Sequence, residues 1–406
     1  MMKLPKAVKT ALKLLEEAGY EAVVVGGAVR DHLLGLTPND YDISTNARPE
    51  AIKAVFHKFY TLDIGIKHGT VTVFINRKQI EITTYRSESE YRDYRHPERV
   101  IFERNLEADL QRRDFTINAI CFNREFIDLV GGTEDLEKKL IRAIGSPKER
   151  FNEDPLRILR ALRFAATLDF QIEPLTRKAM FSEKELLKKV SFERINLELS
   201  KLLAGKAAPA ILRDYLPIFR IFLPELPEKI DYNLQVFKNV FSLSERLATL
   251  MLGLDLKESE EVLRRLKYSK TQVKQVIYLL KNLDLRIVSK ETEIGKLLKD
   301  NDLKDLKCLI NFQIAIRKAR AKEIKALEKA LTLIEKIDPN KCYRLKDLAV
   351  SGRDLLEMGY EEGIEIRLLL DRLLDLVIEG VLNNEKEELL GFLDKNHPPE
   401  RKPLAK

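Results

Sequence analysis

The sequence predicts an α+β fold: a head with a mixed sheet over residues 1–142, followed by an all-helical remainder. Three observations carry this. In the first third, β-branched runs bounded by turn residues alternate with segments of helical period. Two of those runs, residues 70–75 and 79–84, are separated only by Asn76-Arg77-Lys78, which makes them a hairpin and the sheet at least partly antiparallel. From about residue 150 onward the apolar period is helical and no convincing strand remains.

Taken in order, residues 5–18 read as a helix, with Val8, Leu12, Leu15 and Ala18 at helical spacing. Residues 21–25 are a β-branched run closed by Gly26-Gly27. Helix-like residues 28–35 follow, then a short strand at Asp40-Tyr-Asp42-Ile43, a helix at 49–58 and the hairpin. The helical remainder is read as 154–168, 174–189, 192–204, 234–253, 257–265, 270–283, 316–337 and 364–393. Pro217, Pro224, Pro227 and the Asp338-Pro339-Asn340 turn are the expected joints.

Composition narrows the class. The 406 residues allow two to four domains, and 45% hydrophobic with 33% charged residues is globular rather than disordered. No run of about 18 apolar residues predicts a membrane span. The acid-containing N-terminal helix does not read as a signal peptide. Three cysteines, Cys121, Cys308 and Cys342, lie too far apart for a disulfide framework or zinc knuckle and suit a reducing cytoplasm. The net charge is +7; residues 1–150 contribute +1 and the rest +6. A basic arm favours a polyanionic partner.

The chemistry concentrates in the head. Gly26-Gly27-Ala-Val-Arg30-Asp31 joins a strand to a helix, where close backbone approach and unpaired N–H groups suit phosphate. Asp40 and Asp42, read as alternate residues of one strand, point into one volume. Two anions that close call for a cation, and Mg²⁺ prefers carboxylate oxygen completed by substrate phosphates. Glu81 supplies a third carboxylate if its strand neighbours theirs. Arg112-Arg113-Asp114-Phe-Thr-Ile-Asn118 adds guanidinium groups for phosphate, and short polar side chains that could hold ribose hydroxyls. Asp154 and Arg157, at i and i+3 of a helix start, share a face, and Arg160 and Arg163 continue a basic stripe. Read alone, Asp154-Pro155 is equally an N-cap followed by proline at N1.

These segments, Gly26–Gly35, Asp40-Tyr-Asp42, Arg112–Ala119, Asp128–Leu136, Phe151–Arg157 and Glu193–Glu198 with Lys201, occur in the order of the motifs of the class II tRNA nucleotidyltransferase and bacterial poly(A) polymerase family, which this chain resembles. Leu348–Asp354 and Asn383–Lys386 resemble the tail of its CCA-adding branch; Gly363-Ile-Glu-Ile departs from the turn expected there. The resemblance implies a seahorse-like arrangement: a nucleotidyltransferase head (1–142), a helical neck with the nucleotide-selecting motif (143–222), a helical body (223–310) and a tRNA-binding tail (311–406). It implies Mg²⁺-dependent, template-independent addition of nucleotides from CTP and ATP to the tRNA 3′ end, with pyrophosphate released. Two Mg²⁺ ions would act, one held by Asp40 and Asp42 and the second on the triphosphate, with Glu81 in support. Gly26, Gly27, Arg30, Arg113, Asp114, Asn118, Arg160 and Arg163 would contact nucleotide or phosphate.

Asp154 and Arg157 would read the base. Cytosine and adenine both present an amine donor beside an acceptor ring nitrogen, which a carboxylate and a guanidinium match; uracil and guanine invert that edge. Glu153 would orient Arg157 from behind. The polar segment 85–97 reads as a mobile loop, and in this family such a loop serves the switch to ATP, which argues against CC-only addition. Full CCA addition, A-only addition to tRNA ending in CC, and poly(A) tailing remain open on these residues. A non-catalytic RNA-binding protein on a degenerate head is the competing class, and both acids of Asp-x-Asp are intact. The expected location is cytoplasmic, with no protein partner indicated.

Overall fold

The alternating head becomes a seven-stranded sheet in the structure, a computed structural model that describes residues 2–38, 40–63, 65–91, 97–338 and 340–398. The sheet strands are β1 (Ala22–Val25), β2 (Asp42–Thr45), β3 (Tyr60–Leu62), β4 (Thr70–Ile75) and β5 (Lys78–Thr84). A two-stranded ribbon follows, β6 (Arg86–Tyr91) and β7 (Pro97–Phe102), and then β8 (Cys121–Asn123) and β9 (Glu125–Ile127). Strand order in the sheet is β3-β4-β5-β2-β1-β8-β9. Every neighbouring pair is antiparallel except β2 with β5, which run parallel.

The sequence dictates these choices locally. β4 alternates half-buried and buried positions, with Val71, Val73 and Ile75 in the core. Asn76 and Arg77 both take positive φ, 51° and 63°, the geometry of a two-residue hairpin turn. The Lys6–Glu17 helix buries Ala7, Val8, Ala11, Leu12 and Leu15 as one stripe, while Ala18 falls at its C-cap and is exposed. Beneath the sheet, Val23, Val25, Leu110, Ala119, Cys121 and Ile144 form one apolar cluster.

Contacts divide the chain into two compact units, residues 1–228 with 265–267, and residues 229–264 with 268–406. The second is helical, and at its C-terminal end Val350, Leu355, Tyr360, Leu373, Leu389 and Leu393 pack together. The segments 348–354 and 383–386 clip to each other there. Asn384 accepts from the Ala349 N–H at 2.7 Å and donates to the Asp347 carbonyl at 2.9 Å, and Lys386 pairs with Asp354. Among the described residues no helix is long and apolar enough to cross a membrane.

Several expectations are corrected. The strand expected at 40–43 begins two residues later, so Asp40 precedes it. The segment 85–97 is not an unstructured loop: β6 and β7 pair antiparallel across it, while residues 92–96 lie outside the described residues. A strand does occur beyond residue 150, because β10 (Leu140–Ile141) pairs in parallel with β11 (Gln171–Ile172).

The helices also differ from their expected spans. The helix expected at 154–168 spans Leu156–Leu168, because Asp154 is extended and ends a preceding helix, Pro147–Glu153. That expected at 174–189 is Pro174–Glu183 continued by a 3-10 turn, Lys184–Lys189. Segment 234–253 splits into Asp231–Phe237 and Leu243–Leu250 at a Ser242/Glu245 capping box. Segment 316–337 splits into Leu303–Ala319 and Lys325–Lys336 beside Ala321 at φ 52°. Segment 364–393 splits into Ile364–Ile378 and Lys386–Asn396 after Gly380 at φ 73°. Pro217 marks a break between helices, in the first turn of the short helix Leu216–Phe219 directly after the helix Ala208–Asp214. Pro339 lies outside the described residues.

Candidate active site

The parallel pairing of β2 on β5 builds the acidic centre, because its register sets Asp42 opposite Glu81. On its other side Asp42 faces Val25, the residue before Gly26. Gly26 sits at φ 79°, ψ −141°, a conformation that requires glycine, and Gly27 opens the helix Gly27–Leu33. A Cβ on Gly26 would lie 3.6 Å from Asp42 Oδ2 and 3.9 Å from Arg113 Nη1, so this backbone, the carboxylate and the guanidinium share one small region. Asp42 opens to solvent on one side and is crowded by protein on the others. Its pKa is pushed up to about 6, by burial first and then by the charges of Glu81 and Asp40, with Arg113 acting against them.

Arg113 is held by a residue that the sequence reading passed over. Asp109, fully buried, accepts from Arg112 Nε at 3.0 Å and Nη2 at 2.6 Å, and from Arg113 Nη2 at 3.0 Å. Ser44 of β2 accepts from Arg113 Nη2 at 3.0 Å and donates to Asp109 at 3.3 Å. Burial alone would raise the Asp109 pKa; the two guanidinium groups overcome that and hold it below the ordinary carboxylate range. The Arg113 Nε is buried and has no hydrogen-bond partner among the described residues.

A second group runs as a relay from the head into the neck helices. Arg30 donates to Asp31 Oδ1 at 2.8 and 2.6 Å and to Asn118 Oδ1 at 2.7 Å. Asn118 donates to Asp114 Oδ1 at 3.1 Å, and Asp114 Oδ2 accepts from Arg160 Nε at 2.8 Å. Glu198 pairs with Arg160 at 3.6 Å and accepts from Arg163 Nε at 2.6 Å. The guanidinium groups of Arg30, Arg160 and Arg163 surround the Phe164 ring at 5.1, 5.6 and 3.8 Å from its centroid. Burial opposes the Asp114 charge, yet Arg160, Asn118 and Arg157 hold its pKa down at about 2. Phe164 and Glu198 were missed as site residues. Glu198 carried a signal, because an acid about two turns into an amphipathic helix, on its buried face, needs a cation.

The third group holds the pair expected to read the base. Glu153 accepts from Arg157 Nη1 at 2.7 Å and pairs with Arg150 at 3.0 Å. Arg157, itself buried, also donates to the Arg112 carbonyl at 3.1 Å, which ties it to the 112–118 segment. Asp154 accepts from the Leu156 N–H at 3.1 Å and pairs with Arg194 at 2.7 Å. Arg194 was also missed. The expected residues therefore fall into three linked groups: Asp40, Asp42, Glu81, Gly26, Gly27 and Arg113; Arg30, Asn118, Asp114, Arg160 and Arg163; and Glu153, Asp154 and Arg157.

Among the described residues no three acid, histidine or cysteine side chains gather as a metal cage. The donor set still fits Mg²⁺, which needs only one or two carboxylates when substrate phosphates complete its shell. The mutual repulsion that raises Asp42 is the repulsion a cation would relieve.

Known proteins resemble this chain along nearly its whole length. The Poly A polymerase head domain family matches residues 22–142, the probable RNA- and SrmB-binding site of polymerase A matches 169–229, and the putative tRNA nucleotidyltransferase domain 2 matches 244–393. The chain is 37% identical over 409 residues to the CCA-adding enzyme of Streptococcus pneumoniae (strain CGSP14), covering 97% of this chain and 98% of the relative. Among solved structures, the Bacillus stearothermophilus CCA-adding enzyme in complex with CTP aligns with a TM-score of 0.77 at 31% identity, over 97% of this chain and 98% of that one. The Thermotoga maritima CCA-adding enzyme complexed with tRNA shares the fold, with a TM-score of 0.65 at 24% identity over 97% and 96% of the two chains.

Proposed function

The chain belongs to the CCA-adding enzyme family of tRNA nucleotidyltransferases, and from that premise we propose that it adds CTP- and ATP-derived nucleotides to the tRNA 3′ end without a template. The observation that carries the reading is the parallel β2–β5 register, which sets Asp42 against Glu81 beside the Gly26 turn and Arg113. The primer 3′-hydroxyl attacks the α-phosphorus of the incoming nucleotide, the bond to the β-phosphate oxygen breaks, and pyrophosphate leaves.

Asp40 and Asp42 hold Mg²⁺ in this proposal, with Glu81 strengthening the local negative field. When bound, the metal supplies a lowered pKa at the attacking hydroxyl and charge neutralisation at the leaving pyrophosphate. The chain's own residues do the rest. Asp109 and Ser44 fix Arg113 beside Asp42, where its guanidinium reaches a phosphate that the backbone at Gly26-Gly27 can approach closely. The Arg30–Asn118–Asp114–Arg160 relay positions groups for ribose and triphosphate.

Asp154 accepts from the exocyclic amine of cytosine or adenine while Arg157 donates to the adjacent ring nitrogen. Glu153 supports this by holding Arg157 in one orientation. UTP and GTP would set donor against donor and acceptor against acceptor at that edge, which a site rejects strongly. Within this reading the head is residues 1–142 and the neck 143–222, while the body (223–310) and tail (311–406) carry the tRNA. The protein acts in the cytoplasm with its substrate.

The test is nucleotide incorporation with Mg²⁺ on tRNA lacking CCA, lacking CA, or lacking only the final A, with the four nucleoside triphosphates offered singly and in pairs. Completion of all three to CCA, then arrest, is the expected result. Extension of only the substrate that lacks the terminal A, with ATP alone, would make it an A-adding enzyme instead.

A further inference from the structure

The helix Pro147–Glu153 ends directly before Asp154, and its Arg150 touches each residue of the base-reading group. The Arg150 carbonyl accepts from the Asp154 N–H at 3.2 Å and from Arg157 Nη1 at 3.3 Å. The Arg150 guanidinium pairs with Glu153 Oε1 at 3.0 Å, while Glu153 Oε2 accepts from Arg157 Nη1 at 2.7 Å. One carboxylate is thus shared between two arginines, one oxygen to each.

Arg157 has few donors to spare. A guanidinium carries five N–H groups. Three of those on Arg157 are spent inside the protein, on Glu153 Oε2, the Arg150 carbonyl and the Arg112 carbonyl. Among the described residues the Nε–H and one N–H of Nη2 are left for a ring nitrogen. A carboxylate facing a single guanidinium favours a two-pronged grip, because two parallel charge-assisted bonds are stronger than one. Glu153 has its second oxygen on Arg150 instead. Freed from Arg150, that oxygen would turn to Arg157 and take a donor that the base needs.

This contact differs from an ordinary pair on a helix surface. The Arg150 and Glu153 side chains are only 21% and 22% exposed, so water screens them little. The Arg150 Nε is buried without a hydrogen-bond partner among the described residues. An unmet buried donor costs stability, so helix packing alone does not account for an arginine here. Lys148 of the same helix is exposed and comes no nearer than 3.9 Å to Glu183.

We propose that Arg150 is a positioning residue that sets nucleotide selectivity. By holding Glu153 Oε1 it confines Glu153 to one donor of Arg157 and leaves the rest of that guanidinium to the base. The proposal rests on the base-reading assignment of Asp154 and Arg157 above and deepens it. Arg150 acts through Glu153 and does not itself touch the reacting atoms.

The full-length protein is given tRNA lacking only the terminal A, because full CCA addition and A-only addition both extend it with ATP. The ratio of kcat/KM for ATP to that for GTP is measured on one preparation, so it does not depend on the fraction folded. Arg150→Met keeps the apolar stem and removes the charge. It should raise KM for ATP roughly tenfold, leave kcat within about a factor of two, and lower the ratio roughly tenfold, the worth of one bond to a charged group. Arg150→Lys should restore most of the ratio. Lys148→Met, which removes a charge from the same helix, should match wild type. In a Glu153→Gln background Arg150→Met should change the ratio little further, since the two act as one unit.

A wild-type ratio in Arg150→Met would overturn the proposal, as would an equal fall in Arg150→Lys or Lys148→Met, or a full further fall in the Glu153→Gln background. If Arg150→Met yields no folded protein, Arg150→Gln carries the same test with a fall of about threefold. A wild-type protein that does not prefer ATP to GTP would instead overturn the base-reading assignment.

Discussion

Ionised Asp42 carries a charge that its surroundings oppose, through crowding by protein and through Glu81 and Asp40. Its folded pKa, about 6, lies above the ordinary value near 3.9, so this group favours folding below about pH 4 and loses that contribution as pH rises through 6. Asp42→Asn removes the opposed charge. In chelator at neutral pH the variant should therefore melt no lower than wild type, while incorporation falls by roughly 10³-fold or more. Mg²⁺ should raise the melting temperature of wild type and not of the variant; an equal Mg²⁺ response in both would remove Asp42 from the metal site. Asp114 shows the opposite sign. With its pKa held at about 2, it contributes stability above its unfolded pKa that is lost as pH falls from about 4 toward 2. Asp114→Asn should cost on the order of 2 kcal/mol at neutral pH, and denaturant melts should show that difference shrinking through this window. A difference constant with pH would mean that packing, not the Arg160 pairing, is what the variant loses.

Elements were legible where period and turn chemistry agreed. The 70–75 and 79–84 runs gave the hairpin because alternation and an Asn-containing turn point the same way. Helical period alone ran through breaks at 234–253, 316–337 and 364–393, because apolar spacing is indifferent to a single capping residue. Ser242 accepts from the Glu245 N–H while Glu245 accepts from the Ser242 N–H at 2.9 Å, a reciprocal cap whose Ser-x-x-Glu spacing was visible in the sequence. Ser242→Ala should cost about 1 kcal/mol of stability in urea melts. Gly380→Ala, which forces a Cβ into the left-handed region at φ 73°, should cost a similar amount. A neutral result at Ser242 would mean that tertiary packing alone sets that helix start. The order of the site motifs was readable as well, whereas the pairing of Asp154 with Arg194 and of Glu198 with Arg160 and Arg163 was not. Those pairs are closed only by the folded chain, across 40 positions for Asp154 and Arg194 and 35 for Arg163 and Glu198, whereas Asp109, three and four residues before Arg112 and Arg113, carried a local signal that was passed over.

At the scale of the whole molecule, the two units are not successive lengths of chain. Residues 265–267 belong with 1–228, although the sequence on either side of them belongs to the other unit. Polar attachments hold them: Arg265 reaches both oxygens of Glu225 at 2.6 and 2.7 Å and the Phe222 carbonyl at 3.5 Å, and Asn196 donates to the Leu266 carbonyl at 2.8 Å. A two-pronged guanidinium–carboxylate pair shielded on one side contributes more than a solvated surface pair, about 1–2 kcal/mol. The first unit thus completes itself only after residues well beyond its main segment have been made. A chain ended at residue 228 should unfold at lower temperature than the same unit does in the full protein. Arg265→Ala in the full protein should lower stability in the same direction by about that 1–2 kcal/mol, while Arg264→Ala, whose partner Glu260 lies one helical turn away on an exposed face, should cost a few tenths. Calorimetry on the three proteins separates the cases. Were the shortened chain to melt at the same temperature as its counterpart in the full protein, residues 265–267 would be bystanders and the first unit would close at residue 228.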